Sequence, residues 1–159
     1  MAPVLTLLGT GTPAPLTHRA GSSYLLELAG EKLLIDCGPG SVRRLLETGV
    51  SPTEIAGLLL THLHYDHCVD YAYFNLLRWD QGVGQIPELE VWGPAPLARM
   101  TESLLGTEGA FGPDLKVSKT RIGMLVKKGN PKRVDGGNLE TLTQAGLRIG
   151  ITDKRASTL

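Results

Sequence analysis

The chain has 159 residues, of which 42% are hydrophobic and 20% are charged, and its formal net charge is zero. These values are typical of one globular domain, and the balanced charge favours no class of partner. Two cysteines, Cys37 and Cys68, are too few for a disulfide framework. The N-terminus lacks the basic segment of a signal peptide, and no apolar run reaches the roughly 18 residues that cross a bilayer. We therefore expect a soluble cytoplasmic protein with no membrane partner.

Basic residues are concentrated towards the C-terminus. Residues 116–159 contain ten Lys and Arg against three acidic residues, whereas residues 1–115 contain six against thirteen. The resulting net charges are +7 and −7. No aromatic residue follows Phe111, so the basic segment lacks rings that stack on nucleic-acid bases. We interpret the basic excess as a solvated face.

The first part of the chain alternates short apolar runs with turn residues. In chain order it predicts a buried strand over residues 4–8, a loop rich in Gly, Thr and Pro over 9–21, a β-hairpin made of 22–28 and 32–36, and a helix from Ser41 to Gly49.

A capping box follows, in which Ser51 is the N-cap, Pro52 the first helical residue and Glu54 the third. The remaining predicted elements are a strand over residues 57–60, a helix over 69–79, a strand over 88–92 and a helix over 97–105. This alternation of strands and helices predicts an α/β (α+β) fold.

The stretch THLHYDH, residues 61–67, holds three of the four histidines. His62, His64 and Asp66 are spaced two apart directly after a predicted strand, so in extended backbone their side chains would point the same way. His67 breaks this period and would project elsewhere, which suits two adjacent metal ions better than one. Imidazole and carboxylate donors favour Zn²⁺, with Mn²⁺ or Fe²⁺ as alternatives. Such clustering disfavours the simpler interpretation of ordinary hydrogen-bonded histidines.

THLHYDH resembles the His-x-His-x-Asp-His signature of the metallo-β-lactamase fold superfamily. LGTGTPAP at residues 8–15, LLIDCGPG at 33–40 and WGPAP at 92–96 are similar, in the same order, to segments of its ribonuclease Z-like branch. The helix VDYAYFNLLRWD also fits that branch. The resemblance covers about residues 3–114 and implies the N-terminal half of an αββα sandwich, with a half-domain over residues 1–114.

The resemblance also implies a role for each residue of the motif. His62 and His64 would be ligands of a first zinc ion, and Asp66 and His67 of a second. Asp66 would also handle protons as the catalytic residue, while a metal-activated water attacks a phosphodiester or other ester, RNA among the substrates. Asp36 would orient a ligand imidazole; its alternative interpretation is a residue that ends a strand and begins a turn.

Other candidate residues have simpler interpretations. We expect His18 to be a surface loop residue, with substrate contact as the alternative, and Cys68 to be a small buried residue rather than a ligand. The aromatic residues of the helix after the motif are spaced for packing in the core; they are Tyr71, Tyr73, Phe74 and Trp79.

The second half of the family's site has no counterpart here. No histidine follows His67, and Asp114, Asp135 and Asp153 do not lie in the family's Gly-Asp-Thr-like setting. Four ligands shared by two metals fall short of the three per ion that are typical of catalytic zinc. A half-sandwich would also expose an apolar sheet face that a partner, such as a second copy in a homodimer, would cover.

Residues 115–159 form a second predicted segment, basic and of uncertain origin. TRIGMLVKKGNPK and the residues after it resemble part of a periplasmic substrate-binding protein of the molybdate-type transporter class. That resemblance implies a chimaera joined between Pro113 and Thr120, with Ser157 and Thr158 as anion contacts in the parent.

The sequence is compatible with three hypotheses for the function. The chain is a metallo-hydrolase of the ribonuclease Z-like branch with an incomplete dinuclear site, a non-catalytic metal-binding or interaction module, or a truncated or chimaeric gene product without activity.

Overall fold

The computed structural model describes residues 2–82 and 85–112 with their side chains, and residues 124–126 as backbone. Its strands are β1 Val4–Gly9, β2 Ser23–Leu28, β3 Glu31–Ile35, β4 Gly57–Leu59, β5 Leu89–Trp92 and β6 Met124–Val126. Its α-helices are α1 Ser41–Glu47, α2 Tyr65–Cys68, α3 Tyr71–Gly82 and α4 Leu97–Leu105, and Pro52–Glu54 form one 3-10 turn. The α/β fold class predicted from the sequence is confirmed.

The six strands form one mixed sheet in the order β1-β2-β3-β4-β5-β6. β1, β2 and β3 are antiparallel neighbours, and the pairs β3–β4, β4–β5 and β5–β6 are parallel. Ala29 and Gly30 join β2 to β3 with φ values of 52° and 90°. Two consecutive positive φ values are typical of the tight turns that match strand twist, so the predicted hairpin is confirmed.

The capping box is also confirmed. The Ser51 side chain accepts a hydrogen bond from the Thr53 amide at 3.2 Å, and the Glu54 carboxylate accepts one from the Ser51 amide at 2.8 Å. These contacts satisfy amides at the start of the turn that have no partner within it. β4 begins shortly after this turn, at Gly57.

The predicted helix over residues 69–79 is present as α3, which begins at Tyr71 and ends at Gly82, and the short helix α2 precedes it. Asp70 lies between them, and its amide donates to the Cys37 carbonyl at 3.0 Å. Its carboxylate accepts from the Ser41 hydroxyl and the Val42 amide, both at 3.4 Å. Because the Asp70 amide bonds to another part of the chain, α2 and α3 do not join into one helix.

The main core lies between one face of the sheet and the helices. It contains buried residues of four strands (Leu25, Leu34, Leu58 and Val91) and of the helices (Leu45, Tyr71, Phe74 and Leu97). Tyr71 and Phe74 are therefore core residues as predicted. Tyr73 is not, since 53% of it is exposed.

The other face of the sheet carries a smaller apolar cluster of Leu26, Leu28 and Leu33. Leu5 pairs with Leu26 in register and lies on the same face, yet it is 56% exposed. Leu7 is 62% exposed. The prediction of a buried strand over residues 4–8 is therefore wrong for much of β1, which lies at the edge of the sheet. The exposed apolar sheet face of a half-sandwich remains a prediction.

Most of the basic C-terminal segment, including Asp114, Asp135, Asp153, Ser157 and Thr158, lies outside the described residues. Its residues 124–126 form β6, which pairs in parallel with β5. The domain boundary near residue 114 remains a prediction. Within residues 2–82 and 85–112, no helix is both long and apolar enough to cross a membrane.

Candidate metal centre

The motif residues lie where two parallel strands end side by side. β3 runs into Asp36, and β4 runs into the segment that holds His62, His64, Asp66 and His67. The Asp36 amide donates to the Leu59 carbonyl at 2.8 Å, which extends the pairing of the two strands. The carboxyl ends of parallel strands are a common location for sites because the loops that follow them converge.

Asp36 is buried, with 2% exposure, and both of its carboxylate oxygens have partners. Oδ1 accepts hydrogen bonds from the Thr61 amide at 2.8 Å and from the Thr61 hydroxyl at 2.9 Å. Oδ2 lies 2.7 Å from His67 Nδ1 and 3.5 Å from the Ser22 hydroxyl. The φ of Asp36 is 58°, a left-handed conformation in which Asp and Asn are enriched among non-glycine residues.

Asp36 therefore ends a strand in a turn-like conformation and also contacts an imidazole, which combines the two interpretations of the sequence. Because Nδ1 of His67 faces Asp36, Nε2 is directed away from it. When Nδ1 carries the proton, the lone pair on Nε2 is available to bind a metal. That Asp36 orients a metal ligand remains a prediction.

The three imidazole rings of the motif lie together. The His62 ring centroid is 4.7 Å from that of His64 and 3.9 Å from that of His67. His67 therefore lies beside the other two rings. The alternation of side chains along an extended strand predicts that His67 projects elsewhere, and that prediction is wrong. The backbone is extended only as far as His64, at ψ 146°, and α2 begins at Tyr65, so the helical turn brings His67 back against His62.

Asp66 is in the first turn of α2 and is 6% exposed. Its Oδ2 lies 3.5 Å from His67 Nε2, so the carboxylate and this imidazole face the same space. The backbone here packs closely against the loop after β3: a Cβ atom on Gly38 would lie 2.1 Å from the Asp66 carbonyl oxygen. Only glycine at position 38 permits this approach.

The donor types fit a divalent metal. The motif offers three imidazoles and one carboxylate. Imidazoles, carboxylates and thiolates are the side chains that bind zinc most often in proteins. Among the side chains of residues 2–82 and 85–112, no three His, Cys, Asp or Glu groups converge closely enough to enclose an ion. The four motif residues therefore suit one part of a metal centre, and whether they are ligands remains a prediction.

The electrostatic setting of His62 favours its neutral form. Burial, followed by repulsion from His67 and His64, lowers the pKa of His62. A neutral imidazole at neutral pH has the lone pair that a metal requires.

The two cysteine thiols, in contrast to the His62 imidazole, lie in surroundings that disfavour metal binding. Burial raises the pKa of Cys37 to about 12, and burial is also the main cause that raises the pKa of Cys68. Both are free thiols, and the Cys68 Sγ contacts the His64 carbonyl at 3.1 Å. Buried thiols with raised pKa values are poor ligands and nucleophiles, which agrees with Cys68 as a small buried residue.

Sequence reasoning did not single out Thr61 or Ser22, which both hydrogen-bond Asp36. Thr61 lies between an apolar strand and the first motif histidine. A polar residue at that junction is the one local feature that could have indicated its role. Ser22 lies 14 positions before Asp36, and nothing local connects the two.

The comparison with known families decides the identity of the fold. The sequence profile of the metallo-beta-lactamase superfamily matches residues 16–148, which is most of the chain. The chain belongs to the metallo-β-lactamase superfamily. The match includes the whole motif and extends past Pro113 into the basic segment.

Among curated members of this superfamily, the chain is 41% identical over 157 residues to a ribonuclease Z of Mycolicibacterium gilvum. That alignment covers 97% of this chain and 54% of the relative. A ribonuclease Z of Mycobacterium marinum is 38% identical over 112 residues, or 70% of this chain and 39% of the relative. The chain thus spans about half the length, or less, of these relatives.

Solved structures show the same fold. The short form of human tRNase Z has a TM-score of 0.58 and 27% identity, over 77% of this chain and 43% of that one. The metallo-β-lactamase fold protein YhfI of Bacillus subtilis has a TM-score of 0.63 and 18% identity, over 84% of this chain and 48% of that one. The prediction of a metallo-β-lactamase fold, covered in its N-terminal half, is confirmed.

The predicted resemblance of the C-terminal segment to a molybdate-type binding protein finds no support in these comparisons. The superfamily profile extends to residue 148, and the Mycolicibacterium gilvum alignment includes nearly the whole chain. A short strand-and-turn pattern of this kind does not by itself identify a second parent protein.

Asp36→Asn is expected to change the tautomer of His67. The Thr61 amide requires an oxygen at the Oδ1 position, so the amide NH₂ of asparagine would face His67 Nδ1. Nδ1 would then have to accept, and the proton would move to Nε2, where it blocks metal binding. Long-range ¹⁵N–¹H correlation spectra should show the Nε2–H tautomer, and zinc affinity should fall about 10- to 100-fold.

Asp80→Asn is the matched control, because Asp80 is an exposed residue of α3 and the substitution removes the same charge. It should change neither the spectrum of His67 nor the affinity for zinc. An unchanged tautomer in Asp36→Asn would contradict the orienting role of Asp36.

Proposed function

We propose that the chain is the N-terminal part of a metal-dependent hydrolase that cleaves phosphodiesters, as a ribonuclease Z does. The observation that carries the proposal is the group of His62, His64, Asp66 and His67 at the carboxyl end of β4, supported by Asp36. The superfamily match and the ribonuclease names of the relatives support the reaction class and RNA as the substrate.

In this proposal zinc, with Mn²⁺ or Fe²⁺ as alternatives, is held by the four motif residues. When bound, the metal would activate water for attack and offset the charge that develops on the phosphate. His62, with its lowered pKa, offers a neutral nitrogen. Asp66 faces His67 Nε2 at 3.5 Å, where its carboxylate would accept a proton from the attacking water.

The site is proposed to be incomplete in the described part of the chain. Further ligands would come from residues outside that part, among which Asp114, Asp135 and Asp153 are acidic, or from another chain, for which a second copy in a homodimer is one candidate. No histidine follows His67 in the sequence, so the added donors within this chain would be carboxylates. The cytoplasmic location likewise remains a prediction.

A non-catalytic metal-binding module is the second candidate function. It is favoured by one observation: no three donor side chains within the described ranges converge to enclose an ion. This candidate predicts metal binding without turnover.

A fusion protein tests the proposed function. This chain is joined to the part of the Mycolicibacterium gilvum ribonuclease Z that its alignment leaves unmatched, and hydrolysis of a precursor RNA is measured with and without zinc. We expect zinc-dependent cleavage by the fusion, and little or none by the 159-residue chain alone. A fusion that folds and binds zinc but does not cleave RNA or bis(p-nitrophenyl) phosphate would favour the non-catalytic module.

A further inference from the structure

Tyr65 is an exposed aromatic residue inside the candidate metal centre. It lies between His64 and Asp66 in the sequence, yet 61% of it is exposed, while Asp66 is buried. A large aromatic ring in this position exposes apolar surface to water, which a smaller polar residue would not do. Neither the core nor the candidate ligand set accounts for it.

The ring of Tyr65 is held in place by a second part of the chain. Its hydroxyl donates a hydrogen bond to the Pro13 carbonyl at 3.4 Å, across 52 residues of sequence. Pro13 belongs to the loop after β1, where residues 12–19 are all exposed. With its hydroxyl in contact with this loop and its ring exposed, Tyr65 presents an aromatic surface next in sequence to two residues of the candidate metal centre.

The loop that contacts Tyr65 is closed by backbone hydrogen bonds and contains no acidic side chain. The Gly11 amide donates to the Ala20 carbonyl at 2.8 Å and so closes the loop at its base. The Arg44 guanidinium donates to the His18 carbonyl at 3.4 Å and ties the loop to α1. Residues 10–20 contain Arg19 and no acidic residue, so the loop has no negative side chain that would repel a phosphate backbone.

We propose that Tyr65 is a stacking platform for one base of single-stranded RNA, which positions the adjacent phosphodiester at the metal centre. The inference rests on the proposed function in taking RNA as the substrate. Aromatic rings stack on any base, so this contact would add affinity without sequence preference. This loop, in which Arg19 is the one charged side chain apart from any protonation of His18, would receive the neighbouring phosphates.

The test measures binding without catalysis, so that it does not depend on turnover. The full 159-residue chain is titrated, with a chelator present, against a fluorescein-labelled five-nucleotide RNA and against an abasic oligomer with the same number of phosphates. We expect the chain to bind the RNA more tightly than the abasic oligomer. Tyr65→Ala and Tyr65→Leu should each weaken RNA binding about 5- to 150-fold and leave binding of the abasic oligomer unchanged.

Two further variants separate stacking from other effects. Tyr65→Phe keeps the ring and loses only the hydrogen bond to Pro13, so it should retain most of the affinity for RNA. Tyr73→Ala removes the other tyrosine that is more than half exposed, on α3, and should change neither affinity.

Several outcomes would overturn the inference. These are an equal loss for both oligomers in Tyr65→Ala, no loss for either, a wild-type chain that does not distinguish them, or the same loss in Tyr73→Ala. Because the binding is measured without metal, these outcomes are distinct from a failure of the zinc-dependent fusion.

Discussion

His64→Ala is expected to reduce zinc-dependent RNA cleavage by the fusion protein about 1,000-fold or more. A metal ligand contributes several kcal/mol to transition-state stabilisation through the ion that it holds, and each 1.36 kcal/mol changes a rate tenfold. The measurement is the rate of cleavage at saturating zinc, together with a zinc titration against a competing chelator. Affinity for zinc should fall along with the rate.

The structure indicates that this substitution removes the imidazole without disturbing the fold. His64 is the N-cap of α2 but makes no side-chain capping hydrogen bond. Its contacts to the rest of α2 are through the carbonyl, which accepts from the His67 amide at 3.0 Å and from the Cys68 thiol, and alanine retains that carbonyl. The fold should therefore remain, and thermal unfolding of the variant should match that of the parent.

His18→Ala is the matched control for zinc binding, since His18 is the one histidine outside the motif and lies in the exposed loop after β1. It should leave the affinity for zinc unchanged. If His64→Ala kept more than a tenth of the parent's rate, His64 would not be a ligand.

Arg78→Met should destabilise the fold by about 3 kcal/mol. Arg78 is buried in α3, where its guanidinium donates to the carbonyls of Pro52 at 2.6 Å, Ile55 at 2.8 Å and Pro87 at 3.1 Å. It thereby joins the 3-10 turn and the segment before β5 to the helix. Methionine keeps the apolar stem but leaves three carbonyls without this donor.

Two opposing effects determine the size of this change. Burial lowers the pKa of Arg78 from 12.5 to about 10, which corresponds to a penalty of about 3 kcal/mol that the variant no longer bears. Three hydrogen bonds from a charged group contribute about 1.5–3 kcal/mol each, so their loss is the larger effect. Urea denaturation of the 159-residue chain measures the difference.

Arg99→Met provides the comparison, because Arg99 is exposed on α4. It should change the free energy of unfolding by less than about 0.5 kcal/mol. Arg78→Lys should recover only part of the lost stability, since one ammonium group cannot reach all three carbonyls as the guanidinium fork does. A stability of Arg78→Met equal to the parent's would show that the charge penalty and the hydrogen bonds cancel.

Local signals in the sequence were sufficient for most elements of the fold. The capping box at Ser51, the hairpin turn at Ala29-Gly30 and the helix over residues 97–105 are all present as predicted. In each case the deciding interactions join residues a few positions apart. The order of strands and helices therefore follows from nearest-neighbour chemistry.

Predictions that depended on distant contacts were less successful. The helix after the motif begins at Tyr71 and not at Val69, because the Asp70 amide bonds to the Cys37 carbonyl, 33 positions earlier. Tyr73 was predicted to pack in the core but lies on the solvent side of α3. Helical periodicity does not specify which face meets the sheet.

The motif itself illustrates the same division. The sequence alone determined that three histidines and an aspartate follow a buried strand, and that their donor types suit zinc. Tertiary structure alone decided that His67 contacts His62 rather than projecting away, and that Asp36 reaches His67 from 31 positions earlier. It also showed that Tyr65 is anchored to Pro13. These contacts depend on how β3, β4 and the loop after β1 pack together, which residue types and spacing within one segment do not encode.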